Sequence, residues 1–426
     1  MLRPLPRHHC GSVKAVVALA LTLLPWLGMA APDEDRLGRA LGYPVGTAHN
    51  WFWQESVRVG SFTHQAEIRG LVRGKPNAMA PAPMPLALPR AAQEPAFRWR
   101  IDGQELGVED YLARQRVMGL LVLKDGEIQL ERYQYERGPE HRFLSNSMSK
   151  SLVSLAVGLA LQEGYLRSLD DRADSYAPRL AGTLYGETTV RNLLRMASGA
   201  RFEERYDGQD DLARFGAAVH RGDLESAAAV VSERVAPQGQ RFNYASAETP
   251  MLAAVLRGAT GLSLSEYLQS RLWQPMGAES TAYWWSDRSG LEAAGGNFNA
   301  TLRDYARLGW LLANDGRRPD TGVQVLPRDY LLEATDWRRH PLVFQPGRAT
   351  PYFGYGYQFW TFPGQARRFA LLGVFGQMIF VDPQLRLVMV HTAVNATPRA
   401  GQTSMGREAD ALWRGLVSHY GGRWDR

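Results

Sequence analysis

The chain lacks the cysteines that a disulfide framework or a thiolate metal site needs, since Cys10 is its only cysteine among 426 residues. Its nine histidines are scattered and form no His-Glu-x-x-His pattern. Disulfide-dense folds and cysteine-ligated metal sites are therefore excluded, and no histidine cluster suggests zinc. We expect no disulfide, no metal and no cofactor.

The chain also has no block of basic residues, although its formal charge is +6. Arginines are spread among acidic residues, as on a solvated surface, so a nucleic-acid partner is not expected. A small-molecule substrate is the expected partner, and the sequence does not reveal the oligomeric state.

The N-terminus has the pattern of a secretory signal peptide. Basic residues precede an apolar run over 15–27, and small residues follow it: Arg3, Arg7 and Lys14, then Gly28 and Ala30. This pattern predicts cleavage after Ala30 or Ala31 and export to the periplasm. An uncleaved anchor is the alternative, but the run contains Pro25 and is shorter than the ~20 residues that a spanning helix needs. We therefore expect no stable membrane span after cleavage.

Residues 31–96 read as an N-terminal extension that ends in a proline-rich linker. Six prolines between Lys75 and Pro95 favour an extended segment on the surface. Two β-hairpins are predicted near opposite ends of the remaining chain. The first joins Val117–Leu123 to Glu127–Tyr133 through Asp125-Gly126, and the second joins 377–381 to 385–391.

Helical patterns occupy the middle of the chain. An apolar helix is predicted over 147–163, with Ser145 and Asn146 as candidate caps, and further helices over 190–196, 224–231, 249–259 and 264–273. A closing helix is expected over 403–417. This order predicts an α/β (α+β) fold in which an antiparallel sheet flanked by helices is built from both chain ends, 97–165 and 290–426, around a mostly helical domain, 166–289.

The sharpest chemical signal is Ser147-Met148-Ser149-Lys150 at the start of the apolar helix. Side chains three residues apart share a helix face, so the Lys150 amine can reach the Ser147 hydroxyl. Burial lowers the pKa of a lysine and makes it a base near neutral pH. The chain has four lysines against 45 arginines (49 minus 4), so position 150 carries the rarer cation, which can lose its proton. The alternative to a catalytic role is a structural one, in which Lys150 only packs its aliphatic stem along a core helix.

Three segments together resemble the β-lactamase and penicillin-binding-protein superfamily. They are Ser147 to Ser151, Tyr244-Ala245-Ser246 as a Tyr-x-Ser form of the second motif, and Thr189 to Gly199, which is similar to a signature of the class C-like esterase branch. The resemblance implies a β-lactamase-like fold and an acyl-enzyme mechanism. In that mechanism Ser147 is the nucleophile, Lys150 and Tyr244 share its proton, and Tyr244 protonates the leaving group. Which of the two is the immediate base stays open.

The third motif of the superfamily, Lys-Thr-Gly, is altered here to Leu371-Leu372-Gly373. The missing cation normally helps to hold a substrate carboxylate, which disfavours β-lactams and peptidoglycan peptides. Gly373-Val374 instead resembles the carboxylesterase and 6-aminohexanoate-dimer hydrolase subgroup, as do 50–67 and 295–304. That likeness implies an oxyanion hole formed by the backbone N–H groups of Ser147 and Val374.

Four further residues are candidate substrate contacts: Tyr206, Ser246, Asn299 and Gly373. Tyr206 matches a tyrosine that contacts substrate in the amide-hydrolysing members of the subgroup, and a loop residue without a role is the alternative. Asn299 could instead cap the helix that follows it. The sequence thus predicts a serine hydrolase for esters or amides of small acyl compounds, with a β-lactamase or D,D-peptidase and a non-catalytic binding protein as alternatives.

Overall fold

A computed structural model describes residues 1, 31–68, 70–71, 76–399 and 404–424. The predicted signal peptide falls on residues outside this part, apart from its first. Within the described ranges, no helix has both the length and the apolar character needed to cross a membrane.

The described residues contain thirteen strands in three sheets. They are β1 (Pro76–Met79), β2 (Trp99–Ile101), β3 (Gln104–Leu106), β4 (Val117–Lys124), β5 (Glu127–Tyr133), β6 (Arg142–Leu144), β7 (Ala282–Trp285), β8 (Phe298–Thr301), β9 (Gly354–Tyr355), β10 (Trp360–Thr361), β11 (Phe369–Gly373), β12 (Gln377–Asp382) and β13 (Leu387–Ala393). Both predicted hairpins are confirmed, as β4–β5 and β12–β13.

The described part of the chain also contains eleven α-helices. They are α1 (Glu55–Thr63), α2 (Val108–Arg114), α3 (Ser149–Gln162), α4 (Val190–Leu194), α5 (Asp211–Arg221), α6 (Leu224–Ala227), α7 (Glu248–Thr260), α8 (Leu264–Leu268), α9 (Leu302–Ala313), α10 (Arg328–Thr335) and α11 (Ser404–His419). Helix α5 begins after the cap Asp210, whose carboxylate accepts from the Ala213 amide, and no separate helix was predicted there.

The largest sheet has the antiparallel order β5-β4-β13-β12-β11-β10-β9, so strands from both chain ends lie side by side in it. Strand β4 has a nearly continuous apolar sequence because both faces of this sheet are buried, and successive side chains point to opposite faces. One face packs against α9, where Leu121 and Leu123 share a core with Leu308 and Leu312. The other face packs against α11, where Leu120 and Val122 share a core with Leu412 and Trp413.

A second sheet, of order β1-β7-β8-β6, was not predicted from the sequence. Its edge strand β1 includes Pro76, which an edge tolerates because it needs no donor on its outer side. Strand β7 lies inside the segment predicted as mostly helical, 166–289. Strand β6 pairs with β8 and ends at Leu144, three residues before Ser147.

Candidate active site

Ser147 lies in a 3₁₀ turn, Asn146–Met148, that leads into helix α3 at Ser149. The helix itself is confirmed, but it begins after the candidate nucleophile. The expected caps are wrong, because neither Ser145 nor Asn146 makes a side-chain cap hydrogen bond. The Ser145 hydroxyl donates to the Asn146 carbonyl instead.

Asn146 turns the chain sharply just before Ser147. Its φ of 44° lies in the left-handed region, which asparagine tolerates better than most residues. Its side-chain amide donates to the Val374 carbonyl over 3.0 Å. Because this bond joins the turn to the end of strand β11, it holds Ser147 next to that strand.

Lys150 is buried within the first turn of α3. Its Nζ donates to Ser147 Oγ over 2.8 Å and also to the Gly295 carbonyl. Burial lowers the pKa of Lys150 to about 8, and attraction to Glu204 opposes part of that effect. A fraction of the amine is therefore unprotonated near neutral pH, as a proton acceptor for Ser147 must be.

Tyr244 reaches the same serine from the loop that precedes α7. Its hydroxyl interacts with the Ser147 side chain, and Lys150 Nζ lies 5.3 Å from the centre of its ring. Burial raises the pKa of Tyr244, the Glu204 charge raises it further, and the interaction with Ser147 lowers it. The structure therefore brings the three predicted catalytic side chains together, with Ser147 in contact with both partners.

Gly373 ends strand β11 against the turn that carries Ser147. A Cβ at this position would lie 2.3 Å from the Ser145 carbonyl oxygen and 3.0 Å from the Ser147 amide nitrogen. Only glycine allows this approach. Residue 373 therefore acts through its backbone and offers no side chain to a substrate. The half-exposed Val374 comes next, beside the same turn.

The N-terminal extension supports the β11–β12 turn from behind, which sequence reasoning missed. Phe375 has a φ of 61° and packs edge-on against Phe52 and Phe62. The buried Arg58 guanidinium lies 4.2 Å from the Phe375 ring centre and donates to the Asn395 carbonyl over 2.6 Å. The buried arginine of α1 thus helps to fix the turn that carries Val374.

Tyr206 and Ser246 both contact one buried carboxylate, that of Glu204. The Tyr206 hydroxyl donates to it over 3.0 Å and the Ser246 hydroxyl over 2.9 Å. Tyr206 is partly buried, with a φ of 59°, and Arg399 lies 5.6 Å from its ring centre. The two predicted substrate contacts thus belong to one cluster beside Tyr244, and sequence reasoning assigned Glu204 no role.

Asn299 lies in strand β8 with no exposed surface. Its amide donates to the Gln65 side chain over 2.7 Å, and its Oδ1 has no partner among the described residues. The expectation that it caps the next helix is wrong, because Thr301 caps α9 by accepting from the Asp304 amide. Its burial gives substrate no access to it in this conformation.

An aromatic wall borders Tyr244 and consists of Phe242, Tyr355 and Trp360. Phe242 lies 4.9 Å from Tyr355, centre to centre, and Trp360 stacks on Tyr244. Phe242 and Trp360 are both partly exposed.

The described residues contain no group of three or more His, Cys, Asp or Glu side chains placed to bind a metal ion.

Residues 108–411 match the model of the Beta-lactamase family, which covers more than half of the chain. The chain belongs to the beta-lactamase family. Its predicted fold, an antiparallel sheet with flanking helices and a helical insertion, is confirmed by this match and by the structural similarities.

Relatives of this beta-lactamase-family chain are named as hydrolases. The 6-aminohexanoate-dimer hydrolase of Paenarthrobacter ureafaciens is 28% identical over 279 residues, 63% of this chain and 70% of that protein. A Bacillus anthracis structure, provisionally named a 6-aminohexanoate-dimer hydrolase, has a TM-score of 0.76 at 24% identity and covers 88% of this chain and 96% of its own. A family VIII carboxylesterase structure has a TM-score of 0.53 at 17% identity and covers 71% of this chain and 93% of its own. At these identities the two structures show a shared fold.

Proposed function

We propose that this chain is a serine hydrolase that cleaves ester or amide bonds of small acyl substrates through an acyl-enzyme on Ser147. The observation that carries the proposal is the 2.8 Å hydrogen bond between Lys150 Nζ and Ser147 Oγ, with the Tyr244 hydroxyl interacting with the same serine. A nucleophile within hydrogen-bond reach of a base with a lowered pKa is the arrangement that covalent catalysis requires.

Acylation begins when Ser147 Oγ attacks the substrate carbonyl carbon and its proton passes to the Lys150–Tyr244 pair. The carbonyl π electrons move to oxygen, and the resulting oxyanion accepts hydrogen bonds from the backbone N–H groups of Ser147 and Val374. Collapse of this intermediate breaks the bond to the leaving group. The leaving oxygen or nitrogen takes a proton from Tyr244, which leaves the acyl group on Ser147.

Deacylation repeats these steps with water. The Lys150–Tyr244 pair accepts a proton from water as its oxygen attacks the ester carbon, and the departing Ser147 oxygen takes a proton back from the pair. The two side chains act as one coupled unit, because each protonation state changes the other.

The surroundings of Ser147 disfavour β-lactams and peptidoglycan peptides, whose carboxylate the lysine of the third motif normally helps to hold. Leu371 and Leu372 on β11 supply no cation where the third motif would carry lysine. Phe242 and Trp360 offer apolar surface beside Tyr244 instead. One relative is named for an amide substrate and one structural neighbour as a carboxylesterase, so both bond types belong in the test.

The decisive experiment compares the wild-type protein with Ser147→Ala on p-nitrophenyl butyrate, a 6-aminohexanoate dimer and nitrocefin. The exposed Ser270→Ala serves as the matched control. We expect the wild type to hydrolyse the ester or the amide, Ser147→Ala to lose this activity and Ser270→Ala to keep it. Labelling by a fluorophosphonate should follow the same pattern. Equal rates in the wild type and Ser147→Ala would overturn the proposal, and fast nitrocefin turnover would replace it with a β-lactamase.

We also propose that the protein is exported to the periplasm, on its N-terminal sequence alone. Sequencing of the mature N-terminus should then find Ala31 or Pro32 as the first residue. An intact N-terminus in the membrane fraction would instead favour the anchor.

A further inference from the structure

Glu204 is a buried carboxylate that the mechanism above does not use. It lies in the loop before α5, and the residue is 4% exposed. Its backbone carbonyl accepts a hydrogen bond from the Arg399 guanidinium, which joins this loop to the segment after β13. A charged side chain is rarely buried without partners, so its contacts indicate what it does there.

Both oxygens of this carboxylate accept hydrogen bonds. The backbone N–H of Ser246 donates to Oε2 over 2.5 Å, and the Ser246 and Tyr206 hydroxyls donate to Oε1 over 2.9 and 3.0 Å. The Ser246 N–H can only donate, and both hydroxyls can donate as well, so all three contacts can be made to an ionised carboxylate. The geometry therefore fits the ionised form, although burial raises the pKa of Glu204.

These contacts connect Glu204 with the catalytic groups in two ways. Ser246 is two residues after Tyr244, so a carboxylate that binds both its N–H and its hydroxyl fixes the backbone that carries the phenol. The Glu204 charge and the Lys150 ammonium also attract each other across the site. The titratable or charged groups that interact with Glu204 are Lys150 from α3, Tyr206 and Tyr244 from the two loops, Tyr185 and Tyr355 from the surrounding core, and Arg399.

We propose that Glu204 is a positioning residue of this site: its ionised carboxylate holds the Tyr244–Ser246 loop and Tyr206 in place and acts as the counter-charge of Lys150. This inference rests on the proposed function, because it gives the Ser147–Lys150–Tyr244 group its fourth member. It also assigns Tyr206 and Ser246 a role through Glu204, which the sequence alone did not suggest.

The two roles predict separate effects. Loss of the charge removes an attraction that favours protonated Lys150, so the pKa of Lys150 falls and its free amine forms at lower pH. Loss of the hydrogen bonds releases the Tyr244 loop, so the maximal rate falls even where Lys150 is unprotonated. A residue that only stabilises the fold would lower the amount of active protein and leave the pH midpoint unchanged.

The test uses three variants of the full chain. Glu204→Gln removes the charge and replaces one acceptor oxygen with an NH₂ group, which cannot accept these hydrogen bonds. Glu204→Asp keeps the charge but shortens the side chain. Glu203→Gln is the matched control, since it removes the same charge from the neighbouring exposed residue. The measurement is kcat/KM for p-nitrophenyl butyrate between pH 5 and 10, with the thermal midpoint of each variant as the check on folding.

For Glu204→Gln we expect a plateau rate at least about tenfold lower and a pH midpoint about one unit lower. Glu204→Asp should lower the plateau and keep the midpoint near the wild-type value, and Glu203→Gln should change neither. A Glu204→Gln profile with the wild-type midpoint, or with a plateau within twofold of wild type, would overturn the proposal.

A direct titration separates this inference from the proposed function. The chain has four lysines, so selective [ε-¹³C]lysine labelling gives few NMR signals, and Lys150→Arg assigns the one from the site. A lower Lys150 pKa in Glu204→Gln, even in a protein that hydrolyses none of the three substrates, would support the counter-charge role while the proposed function fails. If the wild-type enzyme is active and the Lys150 pKa is the same in Glu204→Gln as in the wild type, the inference fails and the hydrolase stands.

Discussion

The ring of Tyr244 lies nearly parallel to the indole of Trp360, with ring centroids 5.4 Å apart and an interplanar angle of 24°. Tyr355 meets the same phenol ring edge-on at 6.0 Å. Aromatic contacts of this kind hold a ring independently of its hydroxyl. A substitution that removes only the hydroxyl should therefore test its chemistry with little change in the position of the ring.

Tyr244→Phe should lower the rate more for a poor leaving group than for a good one. An alkoxide must be protonated as it leaves, whereas p-nitrophenolate needs no proton, and general acid catalysis is worth about 10²–10⁴-fold. We expect a loss within this range on ethyl butyrate and a smaller one on p-nitrophenyl butyrate, measured as kcat. Equal losses on the two esters would contradict the assignment of Tyr244 as the proton donor.

The activity of the wild-type enzyme should rise with pH through the Lys150 pKa of about 8. In the proposed mechanism the active form is the free amine, so below this midpoint kcat/KM should increase about tenfold per pH unit, and above it the rate should level off. Lys150→Arg should lose the rise together with at least about 10³-fold in rate, since arginine keeps its proton. A flat profile between pH 6 and 9 in the wild type would contradict the role of Lys150 as base.

Gly373→Ala should damage the site even though glycine contributes no side chain to it. The added Cβ would press on the Ser145 carbonyl and the Ser147 amide, which forces β11 or the Ser147 turn to shift. We expect about 1–3 kcal/mol of lost stability and at least a tenfold lower kcat/KM, measured by thermal unfolding and ester hydrolysis.

Gly216→Ala is the control for that substitution. Gly216 lies on the exposed side of α5, and a Cβ there would meet no atom within 4 Å. Alanine should stabilise the helix by about 0.5–1 kcal/mol and leave the activity unchanged. Similar behaviour of the two alanine variants would show that β11 does not pack closely against the Ser147 turn.

Glu248 should make the protein less stable as the pH rises. Ser198 donates to its Oε1 over 2.5 Å, while its Oε2 is buried without a partner among the described residues. Burial raises the pKa of Glu248 from 4.5 to about 8. The folded state therefore keeps a proton that the unfolded chain loses above pH 4.5, so stability falls as the pH rises from 4.5 to 8.

Glu248→Gln replaces the acid with a neutral group of similar shape and should remove this loss. The variant should exceed the wild type in stability at pH 8 by up to a few kcal/mol, and the difference should shrink toward pH 5. Denaturant unfolding at both pH values measures it. An equal pH dependence in the two proteins would place the titrating group elsewhere.

Local patterns were sufficient to predict the two hairpins, the helix after Ser147 and the Ser147–Lys150 pair. Strand alternation, helix spacing and a short turn depend on residues that are close in sequence, so they can be recognised before any tertiary contact is known. The same reasoning missed β1 and β7, because a short strand beside a proline or within a helical region is defined by the partner with which it pairs.

The sequence by itself thus determined which residues can carry the chemistry, namely a serine, a lysine three residues later and a tyrosine in a recognisable motif. Only the tertiary structure decided that Asn146 is bonded to Val374 rather than capping a helix, that Gly373 lies against the Ser147 amide, and that Asn299 is buried. It also placed the Glu204 carboxylate where the Ser246 and Tyr206 hydroxyls donate hydrogen bonds to it, because the loops that carry these residues pack together. The physical reason is that hydrogen bonds and close approaches between distant segments depend on how the sheets and loops pack, which local sequence does not encode.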